Sequence, residues 1–286
     1  DSEFWIFLAL FLGFAIKLPM LPFHTWLPDA HSEAPTAGSV LLAGVLLKMG
    51  GYGFIRFCLP IFPEMSHAFA PAVLWMSVAA ILYGGYMALA QVDLKRLVAY
   101  SSVSHMGFVT LGIFSFNNEG VEGAILQMVT HGLTTGAMFL IVGQLYDRTK
   151  SRSIADYGGL QQRMPRFVAI LSLFAVASFG LPTTSNFIGE FLILVGVSYE
   201  NFVFVVLAMG GIVLGAAYML WMLQRVAFGE ARTEAAKKMT DLNTREMWTI
   251  MPLAIAVVAI GVYPGPLLEA MDASVTFVVE RLASTL

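Results

Sequence analysis

Five ionisable side chains lie inside long apolar stretches of this chain: Lys17, Lys48, His105, His131 and Glu190. At about 1.5 Å per residue, each is roughly 15–20 Å from the end of its stretch. That places all five in the middle third of a hydrocarbon layer about 30 Å thick. A lysine there costs at least ~2.5 kcal/mol by insertion scales, so an ionisable group at that depth is a functional-site candidate by default. Desolvation disfavours the charged form of acids and bases alike, which brings both toward proton exchange near neutral pH. Amines, imidazoles and a carboxyl in one plane, with water between them, are what a lateral proton relay requires.

Other readings exist for most of the five. A lysine near a helix end can snorkel to the interface, and a membrane histidine can simply bond a neighbouring helix. Glu190 has a two-carbon stem and cannot reach water from mid-membrane, so it is the firmest member. His24, Asp29 and His31 cluster near one surface and are candidates for proton uptake, with interfacial polarity as the alternative. His67 reads as a loop residue. There is no nucleophile elbow, metal motif, phosphate loop or redox-cofactor motif, and with Cys58 the sole cysteine an internal disulfide is excluded.

The elements that must position these groups are apolar runs long enough to span. They read as 4–18 continuing past Pro19 and Pro22, 36–57, 70–90, 94–116, 121–146, 167–197, 202–228 and 248–263. The stretch 267–282 reads as an interfacial amphipathic helix. Two spans are broken, because proline removes a donor and clashes with the preceding turn. One break is at Leu18-Pro19, the other at Leu181-Pro182-Thr183-Thr184-Ser185-Asn186, just before Glu190. Non-helical backbone survives at membrane depth only where protein or a wet cavity receives it. The two broken spans cross in opposite directions, and each is followed by a span rich in small residues. That is the pattern of an inverted repeat. The expected organisation is therefore the last two helices of a first repeat in 1–57, a second repeat of five helices in 70–228, a final span in 246–264 and an amphipathic tail in 265–286.

Composition agrees with this class. The 286 residues are 58% hydrophobic and 12% charged, against roughly a quarter charged in soluble domains. The mean hydropathy is +0.76. The reading is an all-α polytopic membrane protein of about eight transmembrane helices. Twelve of the sixteen Lys and Arg residues fall in alternate loops, around 95–96, 148–166 and 225–245. By the positive-inside rule those loops are cytoplasmic, the N-side. A net charge of −3 gives no reason to expect nucleic acid. The chain opens on Asp1 and runs straight into an apolar helix, which reads as a cut within a longer protein.

Two long motifs carry a resemblance that runs along the whole chain. One is Lys17-Leu-Pro-Met-Leu-Pro-Phe-His-Thr-Trp-Leu-Pro-Asp-Ala-His31, followed by Ala34-Pro-Thr-Ala-Gly-Ser39 and Leu46-Leu-Lys48. The other is Asp93-Leu-Lys-Arg-Leu-Val-Ala-Tyr-Ser-Ser-Val-Ser-His-Met-Gly107. Both resemble the antiporter-like membrane subunits of respiratory complex I, which have relatives in multi-subunit Na⁺/H⁺ antiporters and membrane-bound hydrogenases. Glu190 in the broken span, where other branches carry Lys, is similar to the M-type branch (subunit 4 in mitochondria). So is the fifth span, which has no Lys after His131. The resemblance implies the last eight of fourteen helices, with the acid partner of Lys17 in the absent part. It implies a proton-translocating subunit of an NADH:quinone oxidoreductase. NADH, FMN, iron–sulfur clusters and quinone would be held by partner subunits and no cofactor by this chain. The implied partners are other complex I membrane subunits, paralogues among them, in a bacterial or mitochondrial inner membrane. Thr183-Thr184 departs from the family's Leu-Pro-Gly-Thr and should stiffen the break or line it with a hydroxyl. An antiporter subunit and an inert scaffold are the competing classes.

Overall fold

A computed structural model describes residues 2–284; Asp1 and the last two residues of the tail lie outside the described residues. The helices run α1 Ser2–Lys17, α2 Trp26–Glu33, α3 Thr36–Ile61, α4 Pro63–Leu89, α5 Leu94–Ile113 and α6 Asn118–Thr149. They continue as α7 Pro165–Ser178, α8 Ser185–Glu200, α9 Phe202–Ala227, α10 Thr244–Val262 and α11 Gly265–Ala283. Five of them, α3, α4, α6, α9 and α10, are long and apolar enough to cross a membrane. The pairs α1/α2 and α7/α8 are each two half-length rods. Helix α5 carries Ser, Thr and His along its length, yet nearly all of it is buried. A helix walled in by protein has no need of a lipid-compatible surface. The fold is an all-α integral membrane assembly.

Both breaks are capped internally. At the first, Leu18 N donates to Phe14 O at 2.8 Å and Met20 N to Ala15 O at 2.9 Å. Trp26 Nε1 donates to Ile16 O at 2.9 Å, so this ring answers a carbonyl freed by the break in addition to any interfacial role. At the second, Leu181 N donates to Val176 O at 3.1 Å and Thr184 N to Leu181 O at 3.0 Å. Gly180, at φ +75°, makes the left-handed step out of α7. Helix α10 closes over this turn. A Cβ on Gly261 would fall 2.4 Å from Thr183 O, so only a glycine admits the contact.

Thr183 itself stands at φ +79°. A β-branched residue is strained there, by about 1–2 kcal/mol. Thr183→Gly is expected to raise stability by about 1 kcal/mol, part of the relieved strain returning as chain entropy. The check is the thermal midpoint of the detergent-solubilised protein, where an unchanged or lower midpoint counts against strain.

His67 lies within α4, not in a loop, because Pro63 occupies the first turn and starts that helix early. It meets Phe116 edge to face with centroids 4.4 Å apart. On the face with the basic loops, Arg148 forks onto Glu246 at 2.7 and 2.8 Å. Glu246 also completes a capping box with Asn243, which pins the start of α10 to the end of α6. Lys95 donates to Ala34 O at 2.7 Å and Arg152 to the Ser32 carbonyl, closing the same face over α2. On the opposite face α11 is largely exposed and touches α6 through Asn118 Nδ2 and Thr276 Oγ1, 3.2 Å apart.

Candidate functional site

Glycine contacts decide which polar residues meet. A Cβ on Gly132 would lie 2.8 Å from Gly44 O, so α3 and α6 touch backbone to backbone there. Lys48 is one turn beyond Gly44 and His131 is beside Gly132, and the contact brings their side chains together. The α6–α8 seam works in the same way. A Cβ on Gly189 would lie 2.9 Å from Gln127 N, and one on Gly123 would lie 2.7 Å from Ile193 N. Glu190 follows Gly189 and is thereby pressed toward α6. Gly84 and Gly107 let α4 and α5 approach around His105. Small residues are the usual means of close helix approach in membranes, where there is no hydrophobic drive between helices.

The result is one buried row. Lys48 Nζ lies 2.7 Å from His131 Nδ1 and also donates to the Ala43 carbonyl. The rings of His131 and His105 are 5.4 Å apart, edge to face. His105 Nδ1 is 3.0 Å from Glu190 Oε1. Exposures are 0% for His131, 4% for His105 and 3% for Glu190, so these three do not exchange protons directly with bulk water; Lys48, at the head of the row, is half-buried. In both imidazoles Nδ1 is engaged at the outer end of the row, and Nε2 has no hydrogen-bond partner among the described residues. An imidazole accepts at one nitrogen and releases at the other, so this arrangement suits proton passage.

A widened turn at Leu42–Leu46 lies just before the lysine. Such π turns leave carbonyls weakly paired and recur at functional sites. Here the ammonium takes up the Ala43 carbonyl. A second widened turn, Phe54–Cys58, precedes Pro60 and gives room where that ring would meet the carbonyl of Arg56.

The other candidates are placed apart from this row. Lys17 ends α1, half-buried, with no hydrogen bond or ion pair among the described residues. Asp29 is at the surface and pairs with Arg96 at 2.9 Å. His31 is fully buried, stacked on Phe139 at 4.4 Å. Neither of its nitrogens has a hydrogen-bond partner among the described residues. His24 packs on Tyr83 at 4.9 Å. Asp29 and the two histidines thus form no joint cluster. A polar cavity of about 420 Å³ opens between residues 32–36 and the end of α6, lined in part by Glu33, Lys95, Asp147 and Arg152 and by none of these three.

Three further polar residues lie near the row, of which the sequence reading names only Asn186, as part of the break. Gln127, fully buried, donates from Nε2 to Glu190 Oε1 at 3.1 Å. It precedes His131 by one helical turn, and that spacing was the available signal. Asn186 Oδ1 accepts from Thr134 Oγ1 at 3.3 Å. Tyr218, 1% exposed, bonds Ser101 within electrostatic reach of Glu190; nothing local marks it, since it comes from α9.

Residues 2–215 match the family model described as NADH:quinone oxidoreductase/Mrp antiporter, TM. The chain is 51% identical over 276 residues to NADH-quinone oxidoreductase subunit M of Rhodobacter capsulatus, covering 96% of this chain and 54% of that one. It is 50% identical to NADH-ubiquinone oxidoreductase chain 4 of Marchantia polymorpha, with 96% and 56% covered. A chain of respiratory complex I from Thermus thermophilus with bound NADH superposes with a TM-score of 0.91 at 35% identity. That match covers 99% of this chain and 60% of the other. The chain spans about half the length of the curated relatives it matches.

Proposed function

Because this chain belongs to the NADH:quinone oxidoreductase/Mrp antiporter membrane family, we propose that it is part of a proton-translocating subunit of an NADH:quinone oxidoreductase, of the subunit M or chain 4 type. The observation that carries this is the row Lys48–His131–His105–Glu190, with a hydrogen-bonded pair at each end and the two imidazoles side by side between them. The high identity to proteins named subunit M and chain 4 supports the type.

Protons come from the face with the basic loops, the N-side, past His31 to Lys48. The ammonium gives a proton to His131 Nδ1, and His131 releases one from Nε2. The step from His131 to His105 crosses between rings whose centroids are 5.4 Å apart, with water as the carrier. His105 then hands a proton from Nδ1 to Glu190 Oε1. Lys17, with an acid partner supplied from the rest of the protein, sets the charge state that Lys48 feels. Asp29 and His24 shape the uptake face. NADH, FMN, iron–sulfur clusters and quinone belong to partner subunits, whose electron transfer drives the row. Other membrane subunits, paralogues included, flank this one in an inner membrane.

A Na⁺/H⁺ antiporter subunit is the second reading, since the family model covers both. Vesicles holding the whole complex separate the two. NADH-driven acidification is expected at full extent in sodium-free medium. Acidification that needs Na⁺, or proceeds without NADH oxidation down a sodium gradient, overturns the proposal.

A further inference from the structure

The two carboxyl oxygens of Glu190 have different surroundings. Oε1 faces the relay, 3.0 Å from His105 Nδ1 and 3.1 Å from Gln127 Nε2. Oε2 lies against residue 180, only 2.8 Å from where a Cβ would stand, and Gly180 leaves that space free. Beyond Gly180 the chain is exposed at Leu181, Pro182 and Thr183. Outward along α8 the packing is closed. A Cβ on Gly196 would fall 2.4 Å from Gly120 N, and one on Gly112 would fall 2.5 Å from Gly120 O. No water passes between helices whose backbones touch.

Gln127 is unusual among possible partners for an acid. Its Oε1 is buried and without a hydrogen-bond partner among the described residues. An amide presents two donors on one side and an acceptor on the other. Turned one way it bonds a carboxylate, and turned the other it accepts from a carboxylic acid O–H. A lysine or arginine would favour the anion, and an apolar residue would satisfy neither form. Gly189 keeps the amide in place, because a Cβ there would fall 2.7 Å from Gln127 Oε1.

We propose that Gln127 and Gly180 are positioning residues that make Glu190 two-faced: Gln127 matches the acid in both protonation states as it receives a proton at Oε1 from the relay, and Gly180 leaves the carboxyl room to turn and release it from the Oε2 side. This rests on the relay reading given above. In the first step the His105 Nδ1–H bond breaks and a Glu190 O–H bond forms. Gln127 turns over to accept that O–H. The carboxyl then rotates about Cγ–Cδ and gives the proton to a water molecule on its Oε2 side, restoring the carboxylate.

The test uses the whole complex in vesicles, with acidification per NADH oxidised and the infrared carbonyl band of Glu190 as readouts. The band is assigned by its loss in Glu190→Gln. Gln127→Met keeps the bulk and removes both polar atoms. A hydrogen bond to a charged group is worth about 1.5–3 kcal/mol, so Gln127→Met is expected to lower acidification about tenfold or more and to move the band. Gly180→Ala is expected to move the band and lose acidification, since the methyl presses on Oε2 and removes the room in which the carboxyl turns. Wild-type acidification with an unmoved band in Gln127→Met overturns the proposal, as does full acidification in assembled Gly180→Ala. If Gly180→Ala fails to assemble, Gln127→Met decides alone. Normal acidification in Glu190→Gln itself would instead sink the relay reading.

Discussion

Glu190→Gln is expected to abolish proton translocation while leaving the complex assembled. The amide has nearly the shape of the carboxyl and still bonds at the distance where Glu190 Oε1 meets His105 and Gln127. It cannot take up a proton near neutral pH. Loss of a positioned acid–base group removes about 10²–10⁴-fold in rate, so the row should fall to background. The measurement is vesicle acidification per NADH oxidised, with the subunit quantified in the purified complex. Pumping at the wild-type ratio would show that the acid is bystander chemistry. Removing the buried anion also removes an ion-pair partner of His105, and a neutral pair in its place costs the fold little. A loss of assembly would therefore point to packing and not to the relay.

Lys48→Met should lower translocation about tenfold or more, less completely than the change at Glu190. The ammonium is the group that meets His131 Nδ1 and the Ala43 carbonyl. Truncation strands a buried imidazole nitrogen at a cost of about 1–3 kcal/mol, which converts to roughly tenfold or somewhat more at 1.4 kcal/mol per decade. A water standing where the ammonium was can restore part of the flow, which is why the loss is partial. Lys48→Arg is the informative companion. It keeps the positive charge, but a guanidinium does not release its proton in proteins. If Lys48 acts by proton transfer, Arg is as poor as Met; if it acts only as a fixed charge, Arg restores the wild-type ratio. Equal and full activity in both variants would remove Lys48 from the pathway.

Much of the architecture was legible because its causes are local. Apolar runs of spanning length follow from the bilayer's thickness. Pro19 and Pro182 interrupt their helices wherever the chain goes, since the missing donor belongs to the residue itself. The alternation of Lys and Arg among loops and the mid-span depth of the five ionisable residues need only the order of residues along each helix. The boundary of α4 was misplaced because Pro63 marks a helix start as readily as a loop, and His67 went with it.

What the sequence alone determined, then, was the class of the protein, the depth of each polar group, and Glu190 as a carboxyl in oil beside a broken helix. Only tertiary structure decided who touches whom. Lys48 meets His131, and His105 meets Glu190, because Gly44, Gly132, Gly123 and Gly189 set the rotation and closeness of helices far apart in the chain. The same contacts leave Asp29 with Arg96 at the surface and bring Gln127 to the acid. Depth in a membrane is fixed by counting along one helix. Contact depends on how several helices pack at once, and no single helix carries that information.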